Sequence, residues 1–289
     1  MSMKLKTPVR LAFLSAVLFW VAGCSSLVSN VTQSFAQDLA NAILDNPDLE
    51  MVRDGAPSYL ILIDSLVARS PEDAFLLGQS ATLHSAYAAA FVEDEARAKL
   101  LHSKAKAQAL ASVCVQLKDA CELETRPFKA FASWVEARSA KDVPAMYTLA
   151  AAWSSWIQAH SDDFTAIADL ARVKALMQRC EVLDPTYDNG GVYLYLGVFE
   201  TLLPPAMGGK PEVGRGHFEA AIEQSGGDNL MAKVMFAELY ARLVFDRELH
   251  DDLLGQVDRA PAQVPGLTLM NTVAKERAAQ LMETADEYF

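Results

Sequence analysis

The sequence lacks the motifs that accompany most catalytic and metal sites. Its five histidines form no His-Glu-x-x-His pair and have no zinc-like spacing to cysteine. It has no Gly-x-Ser-x-Gly turn and no Gly-x-Gly-x-x-Gly loop after a strand pattern. We therefore expect no catalysis, no metal and no cofactor, and we expect each histidine to lie at the surface or half-buried.

Strand patterns are missing as well. No window alternates apolar and polar residues with a period of two, whereas helical periodicity is sustained through most of the chain. Hydrophobic residues make up 52% of the sequence, which excludes a largely disordered protein. The sequence therefore predicts an all-α fold of roughly a dozen helices with short connections. The prolines expected in first helical turns are Pro57, Pro71, Pro127, Pro144 and Pro211.

The N-terminus has the charge and length pattern of an export signal. Lys4, Lys6 and Arg10 precede an apolar run over 11–22 that is too short to span a bilayer. Small residues then lead directly to Cys24, as in a lipobox, which implies cleavage after residue 23 and acylation of Cys24. The alternative is an ordinary thiol behind an ordinary signal peptide.

The predicted organisation is a lipoprotein signal peptide over 1–23, a lipid tether over 24–37 and a folded domain over 38–289. Ser25 and Ser26 stand where an aspartate would favour retention in the inner membrane. We therefore expect the lipid anchor to lie in the outer membrane, with the domain facing the periplasm.

Positive charge is scarce in the mature chain. The whole sequence has 25 Lys and Arg against 37 Asp and Glu, and three of the basic residues lie in the predicted signal peptide. The remaining 22 give a formal charge of −15. A surface this acidic repels nucleic-acid phosphates and anionic headgroups, so nucleic acid is excluded as a partner and membrane attachment is assigned to the acyl chains.

Parts of the sequence match a helical-hairpin repeat of about 34 residues. Leu77-Gly78 and Leu196-Gly197 resemble the Leu-Gly pair of a first tetratricopeptide helix, and Phe218 follows as the large packing residue of a second helix. The spacing from Gly197 to Phe218 is a few residues too long. The prediction is a set of degenerate tetratricopeptide-like hairpins in a compact superhelical domain.

Three segments follow one another in the second half of the chain: LDPTYDNGG at 183–191, LPPAMGGKP at 203–211 and HFEAA at 217–221. In this order they resemble the T-component lipoproteins associated with TRAP transporters. The resemblance implies a periplasmic lipoprotein that forms a homotrimer and pairs with the substrate-binding protein of a TRAP transporter. It also implies a small hydrophobic or amphipathic ligand and no chemistry on that ligand.

One helix face is a candidate ligand contact. Tyr193, Gly197 and Glu200 share a face that either forms a polar lip over a pocket or consists of an edge tyrosine and a solvated glutamate. On the next apolar helix, Lys233 is isolated, so it either meets a ligand or extends to the solvent. Glu238, four residues before an arginine, predicts an ion pair with Arg242.

Two further groups are weaker candidates. Gly208, Gly209 and Lys210 precede the helix at Pro211 and form either an anion site or a simple turn. Trp153 and Trp156 share a helix face and either line an apolar cavity or belong to the core.

The sequence has four cysteines, of which three remain beside Cys24. Cys114 and Cys121 flank a predicted helix end and are expected to form a disulfide if the chain turns there. On a continuous helix the two residues would be too far apart, and three free thiols would remain.

Two functions fit the sequence. The first is an accessory of transport that holds or hands over a small ligand to a periplasmic binding protein. The second is a helical-repeat scaffold of the cell envelope that binds other proteins and no ligand. A copurifying small molecule distinguishes them.

Overall fold

The computed structural model describes residues 33–203 and 205–289. The predicted signal peptide, Cys24 and residues 24–32 of the predicted tether lie outside the described residues. The chain falls into two units, Met1–Ala40 and Asn41–Phe289. Within the described ranges all regular secondary structure is helical, which confirms the predicted all-α fold.

Fourteen helices are assigned in the described part of the chain, and the first begins inside the predicted tether. They are α1 (33–44), α2 (Leu49–Arg69), α3 (Ala74–Phe91), α4 (Glu95–Gln116), α5 (Phe128–Glu136), α6 (Val143–Ala159), α7 (Phe164–Ala168), α8 (Leu170–Leu183), α9 (Gly191–Thr201), α10 (Pro211–Gln224), α11 (Leu230–Met235), α12 (Arg247–Arg259), α13 (Thr268–Glu283) and α14 (Ala285–Tyr288).

Aspartate side chains set where many helices begin. Each accepts a hydrogen bond from a backbone N–H in the first turn, which satisfies a donor that the helix itself leaves free. Asp163 caps α7 in this way through the N–H of Thr165, at 2.8 Å. The other aspartate caps with such a bond are Asp48, Asp73, Asp94 and Asp246.

The prediction of prolines in first helical turns is wrong for Pro57 and for Pro71, which lies in the turn before α3. Pro127 directly precedes α5 as its N-cap. Pro144 and Pro211 do begin α6 and α10, but Pro57 lies inside α2.

Pro57 has no N–H, so the carbonyl of Arg53 loses its partner in the helix. The Tyr87 hydroxyl on α3 donates to that carbonyl at 3.3 Å. A neighbouring helix thus supplies the missing donor and lets α2 continue.

Within Asn41–Phe289, successive helices pack on one another in chain order. α2 packs on α3, α3 on α4, α4 on α6, α6 on α8, α8 on α9 and α9 on α10. A second set of contacts joins α3 to α6, α9 to α11, α11 to α13 and α13 to α2. Gly266, before α13, also donates its N–H to the Asp45 carboxylate at 2.5 Å. The tetratricopeptide-like character of these hairpins stays a prediction.

Two clusters of buried hydrophobic residues lie in the described part of the chain. The first is formed mainly by α4, α5, α6, α8 and α9 and is centred on residues such as Phe131, Met146 and Trp153. The second is formed by α10 to α13 and includes Phe218 and Leu254. Helix α9 contributes to both, since Leu196 belongs to the first cluster and Leu194 packs against the second.

A π-helical segment changes the register after α11. It covers Phe236–Ala241, and the N–H of Arg242 donates to the carbonyl of Ala237, five residues back. The predicted Glu238–Arg242 pair is therefore wrong, because four residues no longer make one turn. Glu238 instead accepts from Arg277 at 3.2 Å, and Arg242 donates to the Leu281 carbonyl at 3.1 Å.

Cys114 and Cys121 are joined by a disulfide. Helix α4 ends at Gln116, and a short 3₁₀ turn, Lys118–Ala120, reverses the chain. The two Cα atoms lie 4.3 Å apart, and Cys180 is a free, buried thiol.

Candidate functional site

Three tyrosines and one aspartate meet at the N-terminal ends of α6 and α9. Tyr147 lies in the first turns of α6, Tyr187 and Asp188 in the loop before α9, and Tyr195 on α9. The ring centroids are 5.1 Å apart for Tyr147 and Tyr187, and 5.9 Å apart for Tyr147 and Tyr195. All three rings are half-buried, and the Tyr147 hydroxyl donates to the Asp188 carboxylate. We call these four residues the tyrosine cluster.

The backbone of this loop is strained. Asp188, Asn189 and Gly190 all have positive φ, at 55°, 51° and 79°. Left-handed backbone is costly for residues with a side chain, although Asp and Asn tolerate it best. Three in succession turn the chain sharply into α9 and hold Asp188 against Tyr147.

Gly190 and Gly191 leave no space for a Cβ beside their present neighbours. A Cβ on Gly191 would collide with the Tyr147 hydroxyl and lie 2.7 Å from the Asp188 carboxylate. A Cβ on Gly190 would lie 2.5 Å from the backbone oxygen of Ala221 on α10. The Gly190-Gly191 pair therefore lets the loop approach both neighbouring helices.

The surrounding protein shifts the pKa values of the tyrosine cluster. Asp188 is an exposed residue, yet burial by surrounding protein raises the pKa of its carboxylate, and the Tyr147 hydrogen bond opposes that shift only in part. Burial likewise raises the pKa of Tyr147 well above its usual value, with Asp188 adding to the effect, and raises that of Tyr195. These groups are therefore held together by the hydrogen bond and the ring contacts, with the carboxylate at the exposed side of the cluster.

Comparison with known proteins supports the resemblance seen in the sequence. A family model described as the TRAP transporter T-component matches residues 45–289. The chain belongs to the TRAP transporter T-component family. No curated protein matches it.

The T-component has no described helix that is long and apolar enough to cross a membrane. Among its described residues, no group of three or more His, Cys, Asp and Glu side chains is placed to hold a metal ion. The tyrosine cluster has a single carboxylate, which is too few oxygen ligands for a calcium or magnesium site.

The predicted tryptophan pair lies against a buried cation of the T-component. Trp153 is fully buried and Trp156 half-buried. The Lys106 ammonium lies 4.9 Å from the Trp153 ring centroid and 3.5 Å from that of Trp156. Trp153 also donates its indole N–H to Asp169 at 3.0 Å. This face is thus occupied by protein groups.

The three residues predicted on one face of α9 have separate environments. Tyr193 is half-buried, with its ring centroid 6.2 Å from that of His217. Gly197 lies under the Phe218 ring, where a Cβ would be 2.8 Å from ring carbons. Glu200 is buried and pairs with Lys174 at 2.6 Å, so it is neither solvated nor free for a ligand.

The glycine-rich turn before α10 is tied to α9. Gly208 has a positive φ of 96°, and the N–H of Lys210 donates to the backbone oxygen of Glu200 at 2.9 Å. The carbonyl of Lys210 in turn accepts from the N–H groups of Val213 and Gly214. Turn formation accounts for these contacts, and Gly209 and the Lys210 side chain stay candidate anion contacts.

Lys233 is buried on α11. Its ammonium lies beside the Gly226-Gly227 turn, 3.6 Å from where a Cβ on Gly227 would stand. Among the described residues none forms an ion pair or a hydrogen bond with this ammonium. The oxygen Oδ1 of Asn229, one turn earlier, is also buried without a described partner. The residue is 9% exposed, so the alternative that Lys233 extends to the solvent stays open.

The prediction that every histidine is exposed or half-buried is wrong for three of them. His84, His102 and His250 are buried. His84 shares a hydrogen bond with the Ser80 carbonyl at 2.8 Å, and His250 one with Asp251 at 2.9 Å. The buried ring nitrogens Nδ1 of His102 and Nε2 of His250 have no hydrogen-bond partner among the described residues, and the sequence pattern alone does not reveal that these rings are buried.

The sequence contained only a faint signal for the tyrosine cluster. Tyr187, Asp188 and the two glycines lie in a segment that supported the family resemblance, but Tyr147 is 41 residues away from Asp188. The Asp-Asn-Gly-Gly run signals a left-handed turn. The contact between Asp188 and Tyr147 cannot be read from this run, because it depends on where α6 packs.

Proposed function

We propose that this T-component is a lipid-anchored periplasmic protein that holds a small amphipathic ligand and hands it to the substrate-binding protein of a TRAP transporter. Family membership gives the accessory role in TRAP transport. The single observation that supports ligand holding is the tyrosine cluster, in which accessible aromatic rings surround one carboxylate. A mostly apolar site with few polar groups suits a small amphipathic ligand.

The anchoring part of the proposal rests on Cys24. Because the mature surface is acidic, it gains nothing from anionic headgroups, and acyl chains on Cys24 supply the binding free energy. Replacing Cys24 by Ser should leave the domain folded and release it from the membrane fraction. A Cys24→Ser protein that still sediments with membranes after a high-salt wash contradicts the anchor.

The proposed assembly is a homotrimer of tetratricopeptide-like domains. Native mass spectrometry of the full chain in detergent measures its stoichiometry, and denaturing extraction of the same sample releases any bound small molecule. We expect three chains per particle and a recurring ligand. Another stoichiometry contradicts the trimer. Ligand binding is tested separately, by the extraction.

The handover step is tested by mixing. Ligand-loaded T-component is combined with the ligand-free substrate-binding protein, the two are separated, and the ligand on each is measured. We expect the ligand to move to the binding protein. If the T-component repeatedly yields no ligand and still binds its partner, the scaffold function replaces this one.

Lys233 remains a candidate ligand contact because it is buried without a described ion-pair partner. Lys233→Met fills the same space with apolar atoms. If the ammonium contacts the ligand, the variant keeps its thermal stability and retains less ligand. Unchanged ligand content at equal stability contradicts the contact.

A further inference from the structure

We propose that the tyrosine cluster binds the ammonium end of an organic cation, with Asp188 as its counter-charge and Tyr147, Tyr187 and Tyr195 as its aromatic walls. The inference rests on the proposed function only in taking the cluster as a ligand site. It adds the chemical class of the ligand, an amine or quaternary ammonium with an apolar remainder.

The carboxylate of Asp188 has no counter-charge in the protein. Among the described residues, its hydrogen-bond donor is the Tyr147 hydroxyl, and no Lys, Arg or His pairs with it. A carboxylate in a ligand site is matched by a cation or by several hydrogen-bond donors. Asp188 has one such donor, so a positive charge from outside would complete the site.

The tyrosines supply surfaces that favour the same charge. The faces of aromatic rings are electron-rich and attract cations, most strongly where water is excluded. The Tyr147 ring is inclined at 61° to Tyr187 and at 81° to Tyr195, so the rings form walls in different directions. In the described part of the chain nothing hydrogen-bonds the hydroxyl of Tyr187 or Tyr195.

Other ligand classes fit these groups less well. An anion would meet a carboxylate and negative ring faces. An uncharged apolar molecule would remove more water from Asp188 and give it no partner. An inorganic metal ion would find one carboxylate where it needs several oxygens. An organic cation satisfies the carboxylate and the rings at once.

The strained loop supports a functional role for this arrangement. Backbone strain persists where the surroundings over-determine it, and it clusters at ligand sites. A glycine at 188 or 189 would make the same turn at lower cost. Asp188 and Asn189 instead hold left-handed conformations that place the carboxylate beside Tyr147.

Choline is the probe, titrated calorimetrically into the full-length protein in detergent. We expect saturable binding. Asp188→Asn should weaken it about tenfold or more, since asparagine tolerates the left-handed backbone and accepts from Tyr147 but has no charge. The matched control Asp258→Asn, the same change at an exposed site on α12, should bind as the unaltered protein does. Thermal unfolding establishes that the variants are folded.

Two further measurements keep the test decisive if Asp188→Asn does not fold. Tyr195→Leu keeps the carboxylate and removes one aromatic wall, and should weaken choline binding several-fold. The uncharged carbon isostere of choline should bind the unaltered protein much more weakly than choline does. Absence of choline binding, equal binding by Asp188→Asn, or equal binding of the isostere overturns the proposal. Transfer of another ligand to the binding protein would still be observable, so failure here is distinct from failure of the proposed function.

Discussion

The ammonium of Lys106 lies 3.5 Å from the centre of the Trp156 ring and donates to the Glu124 carboxylate at 2.6 Å. Lys106 is only 5% exposed, and a carboxylate oxygen of Asp169 is 3.9 Å from the same nitrogen. The cation is thus enclosed by an aromatic face and acidic groups on different segments of the chain. It links α4 to α6 and to the turn before α5.

The first prediction follows from this enclosure. Lys106→Met removes the charge on which both the ring contact and the ion pairs depend, and it should lower the free energy of unfolding by about 2–4 kcal/mol. Lys99→Met is the matched control, because Lys99 lies on the same helix and pairs with the exposed Asp162. That change should cost less than about 1 kcal/mol. Urea unfolding measures both, and equal losses contradict the role of Lys106.

The second prediction concerns the contact between α9 and α10. In Gly197→Ala the new Cβ would lie 2.8 Å from carbons of the fully buried Phe218 ring, so the ring or one of the two helices must shift. The free energy of unfolding should fall by about 1–3 kcal/mol.

Gly216→Ala is its control, since nothing lies within 4 Å of a Cβ there. Alanine is the better helix former, so this variant should gain up to about 1 kcal/mol. Thermal denaturation measures whether each variant gains or loses stability. A stabilised Gly197→Ala would show that α9 and α10 separate easily.

The third prediction is a thiol count. After unfolding without reductant, the domain should show one free thiol, that of Cys180, because Cys114 and Cys121 are joined. In the folded protein Cys180 should not react near neutral pH, since burial raises its pKa to about 12 and thiolate is the reactive form. Three thiols after unfolding would mean that the disulfide does not form in the cell envelope.

The fourth prediction is a loss of stability on mild acidification. Burial lowers the pKa of His84 and of His102 below the usual 6.5. Between that lowered value and 6.5 the unfolded chain binds more protons than the folded one, so the free energy of unfolding falls as pH decreases through this range.

His102→Leu should flatten that dependence, because it removes a group that titrates in this range. The change should break no hydrogen bond at Nδ1, which has no partner among the described residues. Urea unfolding between about pH 7.5 and pH 5.5 compares the slopes. A slope as steep in the variant as in the unaltered protein would assign the effect to other groups.

Local chemistry made much of the fold predictable. Pro144 and Pro211 were expected in first helical turns, because such positions depend on adjacent residues. A helix end between Cys114 and Cys121 was also expected, and α4 ends there. Pro57 failed for the opposite reason, since its tolerance inside α2 depends on a hydroxyl from another helix.

Charged side chains were the least predictable. Glu200 was expected to be a lip or a solvated group, and it is buried with Lys174. Arg242 was expected to pair with Glu238, and the π-helical segment moved it out of register. Nothing in the sequence pattern distinguishes Lys106 from the other lysines of α4. Periodicity assigns a face to each residue, but the partner on the opposite element is fixed only by tertiary packing.

The candidate site shows the same limit. The Asp188 loop lies in a segment that supported the family resemblance, whereas its role in the site depends on Tyr147, which α6 brings to it. The candidates proposed from the sequence lay instead on single helices, where spacing alone suggests a shared face. A site built from a loop and two helices has no characteristic spacing of residues along the sequence.

Proline at 57 has a consequence for how relatives of this chain vary. The Tyr87 hydroxyl is useful at the Arg53 carbonyl because proline leaves that oxygen without its helical donor. In a relative with alanine at the position of Pro57, the helix would satisfy the carbonyl itself, and phenylalanine would serve as well as tyrosine at the position of Tyr87. The two positions, 30 residues apart and on different helices, should therefore change together during evolution.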